Sequence, residues 1–338
     1  MKINSTIETI VSKSFDKVLP SAEEIALLLE VEPHSLDAGH IMAAADAMSR
    51  RASGGIAEVH AQIGLNLSPC PRDCAFCAFA ARNHVFDEAY EFAPEDVVRF
   101  ASRAERDGAN AIFVMATGDY PFGKYIEMSE EIRRALDPAT IMIANVGDFS
   151  ISQGKKLRDA GYSGIYHAVR MGEGRDTTIP PETRLKTVRA AREAGLLVGT
   201  CVEPVGPEHT TDEIVEKTLI GRDMNPCYSG SARRITIPGS GLEHHGMISE
   251  YEMAYIVAVL RIAMGPDVIG NCTHEPNILG ASAGANLFWA EGGANPRDTE
   301  TETTEGRGLD AAVCRKMFEE TDWELVDGPS RIYGYPGA

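Results

Sequence analysis

Two periodicities alternate along this chain from residue 56 onward. Short apolar runs such as "EVHAQIGLNL" (58–67), "AIFVMAT" (111–117), "TIMIANVG" (140–147), "GIYHAV" (164–169), "LLVGTCV" (196–202), "ARRITIP" (232–238) and "DVIGNCT" (267–273) have the length and composition of strands. Between them lie longer segments with apolar residues three and four apart, among them "APEDVVRFASRAERDG", "PPETRLKTVRAAREAG" and "SEYEMAYIVAVLRIAMG", which read as amphipathic helices. The rhythm amounts to about seven or eight β/α pairs, the pattern of parallel strands with crossover helices. It predicts an α/β fold, a (β/α)8 barrel of the TIM type. Gly108, Gly161 and Gly195 close helices immediately before strands and supply left-handed caps.

Residues 1–54 carry helical patterns, including "SAEEIALLLE" with Ser21 and Glu24 spaced as a capping box, and predict an N-terminal helical cap. The barrel is expected over 55–326. "GASAGANLFWA" (280–290) reads as its last helix, "DAAVCRKMFEETDW" as a C-terminal helical extension, and 327–338 as a tail. The polar stretch "GGANPRDTETETTEGRG" (292–308) is expected to be a mobile loop.

Charge and composition narrow the class. With 50 acidic and 32 basic residues the formal net charge is −18, which repels a phosphate backbone and argues against nucleic acid as a partner. No apolar run approaches the ~18 residues of a membrane span, so no membrane association is expected. The N-terminus lacks the continuous apolar core of a signal peptide, and a cytoplasmic location follows as an expectation. Seven cysteines in such a chain point to metal or redox chemistry more than to a disulfide framework.

Three of those cysteines stand in "NLSPCPRDCAFCAFA", as Cys70, Cys74 and Cys77. Structural zinc closes four ligands, commonly from two C-x2-C pairs, and no second pair exists here. A thioredoxin-type pair would not include the upstream thiol. Iron–sulfur clusters are held by thiolates, four of them in a pure electron carrier, and three leave one iron open to a ligand.

The spacing C-x3-C-x-Φ-C, with Phe76 as the aromatic Φ and "HAQIGLNLS" as the strand before it, resembles the signature of the radical S-adenosylmethionine (SAM) superfamily. The resemblance implies a [4Fe–4S] cluster on Cys70, Cys74 and Cys77 at the C-terminal face of the barrel, with SAM on the open iron. Reductive cleavage of SAM would then give methionine and a 5′-deoxyadenosyl radical that abstracts an unactivated hydrogen. It also implies that "MATGDYP", with Thr117, Gly118 and Asp119, is the turn holding the SAM amino group; the plain alternative is an ordinary βα turn. Arg170 and Glu173 in "HAVRMGEG" stand where the family places polar contacts to SAM, or else form a rim salt bridge.

Further segments narrow the branch. "VGTCVEPVGPEHTTDE", "RRITIPGSGLE" and the stretch from "ASAGANLFWA" to "EETDWEL" resemble biotin synthase, and the same barrel serves paired lipoyl synthases, hydrogenase maturases and methylornithine synthase. The resemblance implies sulfur insertion at an unactivated C–H, of the lipoyl or biotin type. The alternatives are a carbon-skeleton rearrangement or cofactor-maturation reaction, and a non-catalytic iron–sulfur protein. Biotin synthase holds an auxiliary cluster on three cysteines and an arginine. Here the aligned positions are Val114, Ile143 and Cys201, and Cys272 in "GNCTHEP" replaces the arginine. Cys201 and Cys272, with His274 and Glu275 nearby, are therefore candidates for a second auxiliary iron–sulfur cluster or sulfur donor, or else small buried residues. Cys227 and Cys314 are expected to be structural, and His244 and His245 to be solvated. Electrons would come from a ferredoxin or flavodoxin docking at Arg72, Arg82 and Lys124, and the reaction could involve a carrier protein or a second radical SAM protein.

Overall fold

The strand segments close on themselves. In the computed structural model, which describes residues 2–334, eight parallel strands form a barrel: β1 (Ile56–Gly64), β2 (Ala111–Met115), β3 (Ile141–Asn145), β4 (Tyr162–Tyr166), β5 (Leu197–Gly199, continued by Val202–Val205), β6 (Tyr228–Arg233), β7 (Gly270–Thr273) and β8 (Leu287–Gly293). β1 pairs with both β2 and β8, from His60↔Ala111 and Glu58↔Leu287 onward, and β7 pairs with both β6 and β8, so no edge is left open.

Alternation along each strand sorts the side chains. Ile112, Val114, Met142, Ala144, Phe288 and Ala290 face the helices, while Phe113, Ile143, Tyr166, Tyr228 and Trp289 fill the lumen. Two sequence expectations fail on this register. Val114, aligned with a cluster ligand, points outward; the lumen positions beside it are Phe113 and Met115. The "GASAGANLFWA" segment is not one helix: a short turn of helix, Ile278–Ser282, stops before Gly284, whose φ of +92° no helix tolerates, and the apolar alternation beyond it is β8. The sixth strand also begins at Tyr228, earlier than the apolar run 232–238 suggested.

The helices follow the expected order: α1 (Ser5–Phe15), α2 (Ala22–Leu29), α3 (Leu36–Ser53), α4 (Pro94–Arg106), α5 (Phe122–Ala135), α6 (Ile151–Asp159), α7 (Pro181–Glu193), α8 (Thr211–Asp223), α9 (Glu250–Met264), α10 (Ile278–Ser282) and α11 (Ala311–Glu319). The Ser21/Glu24 capping box is formed, and Gly108, Gly161 and Gly195 all have positive φ. The N-terminal helices form a second layer on the barrel's flank, where Ile10, Ile25, Leu28 and Ile41 bury α9 from the outside. That explains why α9 is apolar around its whole circumference.

The two mouths of the barrel differ. At the N-terminal mouth the described part of the C-terminal tail turns inward, and Ile332 and Tyr333 pack into the lumen. Buried Glu58 holds it there by accepting from Ser330 Oγ (2.5 Å) and the Arg331 N–H (2.7 Å). The last four residues of the expected tail, 335–338, lie outside the described residues. At the other mouth the expected mobile loop 292–308 is ordered around Asp298, whose buried carboxylate accepts from Thr303 Oγ1 (2.8 Å) and the Arg307 N–H (2.9 Å).

Candidate functional site

The loop that follows β1 carries the three-cysteine motif over the C-terminal mouth, and the backbone itself fixes its shape. The Cys70 N–H donates to the Phe79 carbonyl (2.7 Å), the Ala81 N–H to the Cys70 carbonyl (3.1 Å), and the Cys77 N–H to the Cys74 carbonyl (2.9 Å). Neighbouring loops pin it from outside: the Ala75 N–H donates to the Asp176 carbonyl (2.7 Å) and the Ala78 N–H to the Pro296 carbonyl (2.8 Å). Asn83, buried beneath the loop, donates from Nδ2 to the carbonyls of Ala75 (3.2 Å) and Cys77 (2.8 Å) and accepts from the Gly241 N–H (3.2 Å).

Cys70, Cys74, Phe76 and Cys77 all line one cavity over the barrel axis. Burial is the main reason the thiols resist ionisation. It pushes Cys74 up to about 11 despite the nearby Arg170 guanidinium, and it raises Cys77 further. Thiolates at this place would therefore form together with the binding of a metal. Across the cavity the turns after β2 and β3 come so close that a Cβ at Gly147 would meet the Gly118 carbonyl oxygen at 2.9 Å. Three thiols on a fixed loop, facing a cavity lined by Gly118 and Gly147, suit an iron–sulfur cluster with a ligand on its open iron.

The remaining sequence candidates separate. Thr117 and Gly118 line the same cavity, with the Thr117 hydroxyl accepting from Asn66 Nδ2 (2.9 Å). Asp119 is exposed at the rim, where it accepts from Ser68 Oγ (3.2 Å). Arg170 reaches the cavity. Glu173 is buried behind it, accepting from the Arg170 N–H (3.2 Å), Thr177 Oγ1 (2.8 Å) and Arg184 Nε (3.2 Å), so its part is to position both arginines. Cys227 sits at the foot of β6 and Cys314 on α11, both buried away from the cavity, while His244 and His245 are exposed.

Cys201 and Cys272, 71 residues apart in the chain, meet in the lumen with their sulfurs 3.0 Å apart. A His274 ring nitrogen completes a group of three potential ligand atoms within 4.8 Å of one another. Glu275, the other residue expected there, turns away into a charged cluster with Arg233, Arg297 and Arg307.

Sequence reasoning missed the cavity floor. Glu203 is bonded by the Tyr166 hydroxyl, lies 3.1 Å from His274 Nδ1 and 3.9 Å from Arg170 Nε. Burial alone would raise its carboxyl, but His274, Arg170 and Tyr166 outweigh burial and hold it at about 2. Burial likewise opposes charge on His274, and Glu203 above all carries it up to about 9. A second buried pair, Asp148 with His167 (3.0 Å) and Arg184 (3.2 Å), forms the adjoining wall. The signal lay in the lumen phase: Gln62, Asn145, Glu203 and His274 each stand two residues beyond a lumen position on their own strand.

Comparison with known proteins agrees with this geometry. Residues 69–219 match the Radical SAM superfamily. The chain is 27% identical over 248 residues to the biotin synthase of Myxococcus xanthus, covering 68% of this chain and 70% of that one. It is 26% identical over 259 residues to the biotin synthase of Nitrosopumilus maritimus, covering 74% and 78%. In structure it resembles methylornithine synthase (TM-score 0.74, 17% identity, covering 97% of this chain and 99% of that one). It also resembles the FeFe-hydrogenase maturase HydG from Carboxydothermus hydrogenoformans (TM-score 0.76, 18% identity, covering 95% and 79%), and both likenesses concern the fold. Residues 69–219 thus carry a radical SAM domain, the chain is similar to the biotin-synthase-like branch of that superfamily, and it is a radical SAM enzyme with a [4Fe–4S] cluster and SAM as cofactors.

Proposed function

We propose that Cys70, Cys74 and Cys77 hold the [4Fe–4S] cluster and that the enzyme inserts sulfur at an unactivated C–H of a substrate bound over the barrel axis. When bound, the cluster and SAM supply a 5′-deoxyadenosyl radical that abstracts hydrogen. The chain's own residues do the rest: Phe76, Thr117, Gly118 and Arg170 line the SAM side of the cleft, with Asp119 at its rim and Glu173 orienting Arg170 from behind. The Glu203–His274 pair gives the floor a fixed, buried polarity with which a substrate can be oriented.

The observation that carries the sulfur-insertion reading is the meeting of Cys201 and Cys272 directly beneath that floor. It is supported by relatives that are biotin synthases. A second reading, hydrogen abstraction followed by rearrangement or cofactor maturation, is favoured by a different observation: Phe113, Tyr166, Tyr228 and Trp289 fill the lumen around the two thiols.

Anaerobic reconstitution tests both. The cluster assignment requires about four irons on the motif cysteines, and loss of 5′-deoxyadenosine formation in the Cys70/Cys74/Cys77→Ala variant. Sulfur insertion requires a product that has gained sulfur, and this fails to form in Cys201→Ala and Cys272→Ala. A turnover product without sulfur moves the assignment to the second reading. We infer further that the enzyme works in the cytoplasm with a ferredoxin or flavodoxin as reductant. Arg72 and Arg82 are the better docking candidates, because Lys124 is paired with Glu91 (3.1 Å). A carrier protein or a second radical SAM protein would supply or share the substrate.

A further inference from the structure

We propose that Cys201, Cys272 and His274 form a second metal site in the barrel lumen, which binds one thiophilic divalent cation, Zn2+ or Fe2+. Two thiols and an imidazole are a donor set for such ions. Three separate features of the lumen support it.

The first is convergence. Cys201 lies at the break between the two segments of β5, Cys272 on β7 and His274 just past its end, and their ligand atoms all lie within 4.8 Å of one another. Two thiolates on one tetrahedral ion stand about 3.8 Å apart, given metal–sulfur bonds of about 2.3 Å. The sulfurs here are 3.0 Å apart, so an ion needs them to separate by less than an ångström.

The second is an unpartnered donor. His274 is 7% exposed, its Nδ1 is held by the Glu203 carboxylate at 3.1 Å, and its Nε2 has no hydrogen-bond partner among the described residues. A buried imidazole with one nitrogen on a carboxylate and the other free has the arrangement of a metal-ligating histidine with its outer support. Tyr166 and Arg170 hold Glu203 in turn, so the support extends into the cavity wall.

The third is space. Phe113, Tyr166, Tyr228 and Trp289 are each at most 4% exposed and pack around the thiols. A lumen packed to this degree admits a single ion more readily than a cluster of several irons and sulfides. The site therefore differs from the three-cysteine-and-arginine set of biotin synthase, because the lumen positions on β2 and β3 are Phe113, Met115 and Ile143 here, none of them a cysteine. Three protein ligands leave a fourth position for an exogenous ligand. Binding of the ion does not rest on the sulfur-insertion reading.

The test uses the full chain with Cys70, Cys74 and Cys77 changed to Ser, kept reduced and metal-free, and titrated with Co2+ and then Zn2+. One Co2+ per chain is expected, with thiolate-to-cobalt charge-transfer absorption that one Zn2+ abolishes. Adding Cys201→Ser or Cys272→Ser should lower the charge-transfer intensity by about half per thiolate lost. Glu203→Gln, which keeps the ligands and weakens their support, should reduce affinity about 10- to 100-fold. Cys227→Ser and Cys314→Ser should change nothing. Circular dichroism matching the parent establishes that each variant is folded. Binding well below one equivalent, or binding that survives loss of both lumen thiols, overturns the site. Iron with acid-labile sulfide that disappears in Cys201→Ser also overturns the single ion, in favour of an auxiliary cluster, and leaves sulfur insertion standing. Stoichiometric metal with a sulfur-free product removes the sulfur-insertion reading and leaves the site.

Discussion

Replacing Asn83 with alanine should loosen the cysteine loop without unfolding the barrel. The side chain makes three hydrogen bonds, to the carbonyls of Ala75 and Cys77 and from the N–H of Gly241. Alanine leaves the Ala75 carbonyl and the Gly241 N–H without this partner, while the Cys77 carbonyl keeps the Ala80 N–H (3.1 Å). Gly241 is exposed, so water replaces the lost bond there at small cost. Ala75 is buried, and an unsatisfied buried carbonyl costs about 1–3 kcal/mol. The loss is therefore about 1–3 kcal/mol, which corresponds to roughly 5- to 140-fold in an equilibrium constant.

The loss should stay local, because the strands and helices do not use Asn83. Hydrogen exchange of the apo-protein reads it directly: amides between Cys70 and Asn83 should exchange faster by that factor, while those of β2 and β3 keep their protection. In the reconstituted protein the same variant should release iron to a chelator faster than the parent. Unchanged exchange across 70–83 would refute the claim that this side chain holds the loop. A variant that loses protection throughout the barrel would refute its local character.

Three further outcomes follow from the geometry. Truncation after Gly328 removes the burial of Ile332 and Tyr333, worth about 1.5–3 kcal/mol each, and leaves Glu58 without its tail partners, so the urea midpoint should fall by the equivalent of at least about 3 kcal/mol. Burial raises the Asp148 carboxyl, but His167 and Arg184 outweigh burial and hold it below the usual range; its stabilisation is present above about pH 3.8 and lost as pH falls through the depressed value, so Asp148→Asn should flatten the acid limb of the stability profile. Arg72→Glu with Arg82→Glu should slow reduction of the cluster by a protein donor and leave dithionite reduction unchanged; equal slowing of both would exclude docking as the cause.

The barrel was legible because its strands and helices differ in period and because glycine closes the helices at regular places. The cysteine loop was legible because its chemistry is local: three thiols and an aromatic within eight residues. What sequence hid had a common cause, the need for long-range register. "LFWAEGG" alternates correctly for a strand, yet the small residues before it lengthen the apparent helix, and pairing with β1 decides the matter. Val114 and Phe113 are adjacent in sequence and opposite in direction, so a shift of one residue in alignment exchanged a lumen position for an outward one. His274 stood out in the sequence only as a neighbour of Cys272, and Glu203 not at all, because their pairing carries no motif. Only closure of the barrel sets them 3.1 Å apart.

That closure also explains why the charged floor and the cysteine loop are built by different means. The loop spans a mouth where no strand continues, so its shape depends on backbone hydrogen bonds from the loops after β4 and β8 and on Asn83. The floor stands on strand ends that cannot move independently, and its side chains can therefore be ionic: Glu203 and His274 oppose each other over an aromatic layer that excludes water. Buried charge of this kind is costly unless each member keeps its partner, which fixes the orientation of both before any substrate arrives. On the proposed reaction, a radical formed above such a floor would meet a substrate aligned by charge, with the aromatic layer beneath keeping solvent from competing for it. Substitution of Glu203 by Gln should accordingly raise the fraction of 5′-deoxyadenosine formed without product, because the substrate loses its alignment while Cys70, Cys74 and Cys77 are untouched. An unchanged ratio of 5′-deoxyadenosine to product, at lower rate, would place Glu203 outside substrate positioning and leave it only the support of His274.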